Sequence, residues 1–94
     1  MTGPFIPEDP QPLHQPGGDA QQAEDTVKRV IAWYNARLAE AHRAGDQDPE
    51  QVAAWRQARD QAVDDLDRLE TADENETVQL AIAYAARLRE LTAP

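Results

Sequence analysis

From Glu50 to Ala93 the chain contains neither glycine nor proline, a run of 44 residues in which nothing forces a helix to stop. These two residue types interrupt helices most strongly, glycine through backbone entropy and proline through its missing N–H and its ring. The C-terminal half therefore reads as helix, and it either runs straight through or folds back once. A continuous 49–92 helix would be about 66 Å long and would need a second copy to cover its apolar seam. A folded chain makes a compact bundle instead. The stretch "LDRLETADENETVQL", Leu66 to Leu80, decides between them.

Two overlapping helix-start signals sit in that stretch. "TADE" (Thr71 to Glu74) and "DENE" (Asp73 to Glu76) both match a capping box, in which a side-chain acceptor and an acid three residues later satisfy free N–H groups. Opposing this, no glycine closes the preceding helix, and Asn75 is the one residue suited to positive φ. Phase does not discriminate, because Leu66, Leu69, Leu80, Tyr84 and Leu91 align on a straight helix. Asp73 and Glu76 would then lie on the apolar seam, however, where hydrophobic residues are wanted. Width is the stronger argument. Leu80, Tyr84, Leu88 and Leu91 form one stripe, and Val78, Ala81, Ile82 and Ala85 form another beside it. Together they cover more of the helix than one neighbour buries. The sequence predicts a turn at 70–74 and a last helix that touches two others.

The rest of the chain supplies those two. Asp19 with Gln22 reads as a capping box, and Val27, Ile31, Tyr34, Leu38 and Ala41 then recur in steps of four and three. Gly45 closes this helix, after His42 and Arg43 place positive charge near its carbonyl end. In "GDQDPEQ", Asp48 caps, Pro49 takes the first helical position and Glu50 follows in the first turn. Val52, Trp55, Ala62, Leu66 and Leu69 line the second helix, flanked by Ala58 and Val63. Segments 20–44, 49–70 and 72–92 would span about 37, 33 and 31 Å, well matched for antiparallel packing. The expected fold is all-α, an antiparallel three-helix bundle; the alternative is a helical hairpin whose long 49–92 helix dimerises. Residues 1–18 hold five of the seven prolines and three of the four glycines. They are expected to form a disordered tail ahead of a small helical domain at 19–94, with "PFIP" as the tail's bulky apolar segment.

Composition narrows function mainly by exclusion. The formal net charge is -9, from 18 acidic and 9 basic residues. That disfavours nucleic acid and anionic membranes as partners and favours a basic protein. There is no cysteine and no serine, and Lys28 is the single lysine. Thiolate and disulfide chemistry are therefore absent, and phosphate loops and zinc spacings are absent too. His14 falls in the tail and His42 at a helix end, which leaves no arrangement for acid–base or metal chemistry. No enzyme activity, cofactor or metal is expected. The N-terminal stretch has no basic start and no long apolar run, so a cytoplasmic location is expected. Abundant Ala and Arg beside scarce Lys and Ser fit GC-rich bacterial coding.

Two surfaces stand out as partner sites. Eight acids crowd between Asp60 and Glu76, relieved by Arg68 alone. Asp60, Asp64, Asp67 and Glu74 project to one side and suit a basic partner. Trp33 lies well off the centre of the first helix's stripe, beside Val30 and Arg37, an aromatic–arginine patch of the kind that anchors interfaces. Trp55, Tyr34 and Tyr84 read as core, the tyrosines with hydroxyls reaching the surface. Cations of the first helix are placed to pair with acids of the second. The expected function is that of a non-catalytic protein–protein interaction module, a small acidic adaptor or regulator whose partner is another protein or a second copy. A self-associating structural coiled coil is the alternative, and an acidic nucleic-acid mimic is a weaker one.

Overall fold

A computed structural model describes residues 18–45 and 48–94. They form three α-helices, α1 (Gly18–Ala44), α2 (Pro49–Arg68) and α3 (Glu74–Thr92). The expected tail, with Phe5, Ile6 and His14, lies outside the described residues apart from Gly18, which already belongs to α1. Asp19 therefore sits inside the first turn rather than ahead of it. The other observed ends fall within two residues of expectation.

The helices run up, down and up. Arg59 of α2 donates to Asn35 of α1, Arg87 of α3 donates to Tyr34 of α1, and Tyr84 of α3 donates to Asp65 of α2. The ends set the directions. Ala20 and Glu24 of α1 lie beside Leu66 and Leu69 of α2, Ala41 and Ala44 beside Asp48 and Val52, and Gln22 and Thr26 beside Val78 and Ile82 of α3. Helix α1 is therefore antiparallel to α2 and parallel to α3. The first loop works as its residues predict. Gly45 takes a φ of 68°, a conformation that β-carbon sterics make costly for other residues, and its N–H reaches the carbonyl of Ala41. Asp48 then accepts from the Glu50 N–H at 3.0 Å, with Pro49 opening α2.

The second turn is built without glycine. Leu69 stays in right-handed helical geometry (φ -60°, ψ -24°), and α2 ends by tightening its last turn. Leu69, Glu70 and Thr71 each donate to the carbonyl three residues back, on Leu66, Asp67 and Arg68. Asp73 then swings to extended geometry and its side chain accepts from the Glu76 N–H at 2.8 Å. Of the two overlapping signals, "DENE" is the one used. Arg68 holds the corner, lying 3.8 Å from Glu76 and 3.7 Å from Asp65. The continuous-rod alternative is not the structure. Asp73→Ala should cost about 1 kcal/mol, the typical value of an N-cap, read as a lower urea midpoint with an unchanged slope; no loss would mean that the turn is held by packing alone.

The core lies around α1, which packs extensively against both other helices. Ala23, Val27, Val30 and Tyr34 of α1 are buried with Ala62 of α2 and Tyr84 of α3. Trp55, Leu66, Leu69, Leu80, Leu88 and Leu91 close over them. Trp55 and Tyr34 thus fill the core places read from their spacing. Of the two apolar stripes of α3, the bundle covers only that of Leu80, Tyr84, Leu88 and Leu91. Val78 remains 37% exposed and Ile82 64%, because α1 presents Gln22 and Thr26 at that flank and no second helix reaches it. No helix among the described residues is long and apolar enough to cross a membrane.

Candidate functional site

Helices α2 and α3 approach each other less closely than either approaches α1, and the reason is visible in the sequence. The flank of α2 that turns to α3 carries Ala54, Gln57, Ala58, Gln61 and Asp65, which recur at helical spacing. The facing flank of α3 carries Leu80, Ala83, Tyr84 and Arg87. Alanines at 54, 58 and 83 are too short to bridge the gap, and Gln61 turns its amide along α2 to Asp65 rather than across to α3. A groove of about 440 Å³ remains between the two helices.

Its floor is polar and buried. The Tyr84 hydroxyl donates to Asp65 Oδ2 at 2.5 Å, and both residues are less than a tenth exposed. Gln61 Nε2 donates to the second carboxylate oxygen at 3.2 Å, and the Arg68 guanidinium lies 3.7 Å from it. Asp65 is thus a buried carboxylate with a hydrogen bond on each oxygen, the condition for such a group to be tolerated. Burial, then the Asp65 bond and charge, push the Tyr84 phenol well above its ordinary range, with Arg87 opposing. The Arg87 guanidinium lies 6.0 Å from the Tyr84 ring centroid and donates to the Tyr34 hydroxyl at 3.2 Å, tying the groove to α1. Neither tyrosine hydroxyl points free into solvent as the sequence reading had it; both are engaged inside the bundle.

The acidic residues separate into two groups. Asp60, Asp64 and Asp67 are exposed along α2, on the stripe next to the Gln57–Gln61–Arg68 rim, with Asp64 at the border. Asp60 pairs with its neighbour Arg59 at 2.9 Å, while Asp64 and Asp67 have no ion-pair partner among the described residues. Glu74 stands exposed at the first position of α3, beyond the turn, so it is not part of one continuous acidic face. The expected pairing of α1 cations with α2 acids is not found among the described residues. Lys28 pairs with Glu24 and Arg43 with Glu40, both within α1.

The aromatic–arginine patch is corrected in one member. Val30 is fully buried in the core and presents nothing to a partner. At -60° from Val27 on the helical wheel it lies inside the packed face, which the narrower sequence stripe placed at the margin. Trp33 is half-buried, with its ring edge-on to Tyr34 at 5.4 Å and to Trp55 at 6.3 Å. Arg37 lies over its face at 4.7 Å. Trp33 and Arg37 therefore brace the α1–α2 contact. Among the described residues, no group of three or more His, Asp or Glu side chains is placed to hold a metal ion.

Sequence reasoning missed the groove. Its signal was present: small and polar residues at 54, 57, 58, 61 and 65 make a stripe that is neither apolar core nor charged surface. No protein family, curated protein or solved structure matches this chain.

Proposed function

We propose that this chain is a non-catalytic protein-interaction module that seats a basic amphipathic helix of a partner protein in the α2–α3 groove. The observation that carries the reading is the groove itself, walled by short side chains, with the exposed stripe of Asp60, Asp64 and Asp67 lying beyond its Gln57–Gln61 rim on α2. Alanines on both walls let a helix axis come close, as small residues do in packed bundles. A fourth helix laid there would place its apolar stripe on Ala54, Ala58, Leu80 and Ala83, and Lys or Arg beside the acidic stripe. Complementary charge of this kind sets orientation and on-rate more than affinity. The chemistry of the floor agrees with a binding role. A phenol driven to higher pKa is a poorer acid at neutral pH, the reverse of what general acid catalysis requires, and Asp65 is already committed to Tyr84, Gln61 and Arg68.

The test is photo-crosslinking in cells from a reactive side chain at position 54 or 83, with exposed position 36 on the outer face of α1 as control. The reading expects one partner captured from 54 and 83 but not from 36, through a helical segment rich in Lys or Arg. Replacing Asp60, Asp64 and Asp67 together by Asn should lower that capture about tenfold or more. Equal capture from 36, or an acidic or extended captured segment, would sink it.

A further inference from the structure

The outer flank of α3, opposite the groove, carries Glu74, Val78, Ala81, Ile82, Ala85 and Arg89 at helical spacing. Ile82 is the most exposed large hydrophobic side chain among the described residues, at 64%, with Val78 at 37%. Beside them lies a shallow hollow of about 440 Å³ formed by Val78, Ala81, Ile82 and Ala85 against Gln22 and Thr26 of α1. An apolar hollow with protruding Ile and Val is unusual on a chain of net charge -9.

The order of residues along this flank is self-complementary. About the midpoint between Ala81 and Ile82, each residue has a counterpart of matching character. Ile82 mirrors Ala81, Val78 mirrors Ala85, and Glu74 mirrors Arg89. Two copies laid antiparallel across this midpoint would set each large side chain against a small one and each end charge against its opposite. Glu74 and Arg89 are both exposed and have no ion-pair partner among the described residues. A parallel pairing would oppose Glu74 to Glu74 and Arg89 to Arg89. We infer that the outer flank of α3 is a homodimer interface, in which a second copy packs antiparallel on Val78, Ala81, Ile82 and Ala85 and closes two Glu74–Arg89 ion pairs. Such an isologous contact is the commonest route to a closed oligomer. The groove lies on the opposite flank of α3 and remains free in the dimer, so this inference does not depend on the proposed function.

Sedimentation equilibrium of the full chain over a concentration series is the test. A reversible monomer–dimer equilibrium is expected. Ile82→Glu, which changes a side chain already mostly in water, should weaken it about a hundredfold or more, since a carboxylate would be buried against alanine, while helical circular dichroism stays unchanged. Glu74→Arg and Arg89→Glu should each weaken self-association, and an equimolar mixture of the two should restore dimers, because the mixed pair has opposite charges at both ends. A chain that is monomeric throughout overturns the inference. So does a dimer indifferent to Ile82→Glu, and so does a mixture that associates no better than its separate components.

Discussion

Tyr84→Ala should remove about 3–5 kcal/mol of stability, the usual cost of truncating a large buried aromatic residue. A domain of this size has about 5–10 kcal/mol in total, so this one change should leave the chain at the edge of unfolding at room temperature. Two losses combine. The ring sits in the core with Val27, Val30, Tyr34 and Ala62, and its removal opens a cavity there. The hydroxyl donates to buried Asp65 at 2.5 Å, and its removal strips one bond from a carboxylate that water reaches poorly. Tyr84→Phe separates the two, keeping the ring while losing the donor. It should cost about 1–3 kcal/mol, the penalty for an under-satisfied buried acceptor. Pairing Tyr84→Phe with Asp65→Leu should recover part of that loss, because the uncompensated charge goes too. Urea denaturation followed by circular dichroism reads all three; a Tyr84→Phe chain as stable as the parent would mean that Asp65 draws nothing from the phenol.

The same bond sets a pH dependence. The Tyr84 phenol holds its proton above the ordinary tyrosine range in the folded chain, first because it is buried and then because its proton is bonded to Asp65. In the unfolded chain a tyrosine releases its proton near pH about 10. Above that pH the unfolded state binds fewer protons than the folded state, so stability falls as pH rises toward the folded value. The contribution is fully present below pH about 10 and is lost in the alkaline range. Tyr84→Phe should show a smaller alkaline loss than the parent chain, and that difference isolates Tyr84 from Tyr34.

Helices and turns were legible because their determinants are local. Asp48 with Pro49, Gly45 and the "DENE" box each specify backbone geometry within a few residues, and each does so in the structure. The hairpin between α2 and α3 could be argued from Asp73 and Glu76, which a straight helix would have placed on its apolar seam. What the sequence could not give is which flank of a wide helix its neighbours cover. Val78 and Ile82 were read as part of a buried face, yet their exposure depends on where α1 crosses, a property of the assembled bundle. Val30 failed in the opposite sense, judged marginal on one helix but enclosed once two others pack on it. The groove was hidden for a related reason. Ala54, Ala58 and Ala83 look unremarkable along the chain, and only their meeting across two antiparallel helices leaves a space.

Trp33→Ala is expected to cost about 2–4 kcal/mol, somewhat under the range for fully buried tryptophan because this one is half-buried. Its ring makes edge-on contacts with Tyr34 and Trp55, each worth about 0.5–1.5 kcal/mol beyond simple burial, and it supports the Arg37 guanidinium. These contacts join α1 to α2 on the Gly45-loop side of the bundle, away from the tight turn that Arg68 secures. Losing them should loosen the end at which only the Gly45 loop connects the two helices. Arg37→Ala removes the cation alone and should cost about 0.5–1 kcal/mol, the value of an exposed cation–π contact. The comparison separates the two roles considered for this patch. A brace makes Trp33→Ala several times more damaging to folding than Arg37→Ala, and it shifts Trp55 fluorescence as that ring loses its neighbour. A partner-binding anchor predicts the reverse: near-parental urea midpoints for both variants and an unchanged Trp55 environment, with the loss confined to complex formation. The engagement of Trp33 on three sides by its own chain supports the first outcome, and a Trp33→Ala chain of undiminished stability would return the patch to the set of interaction surfaces.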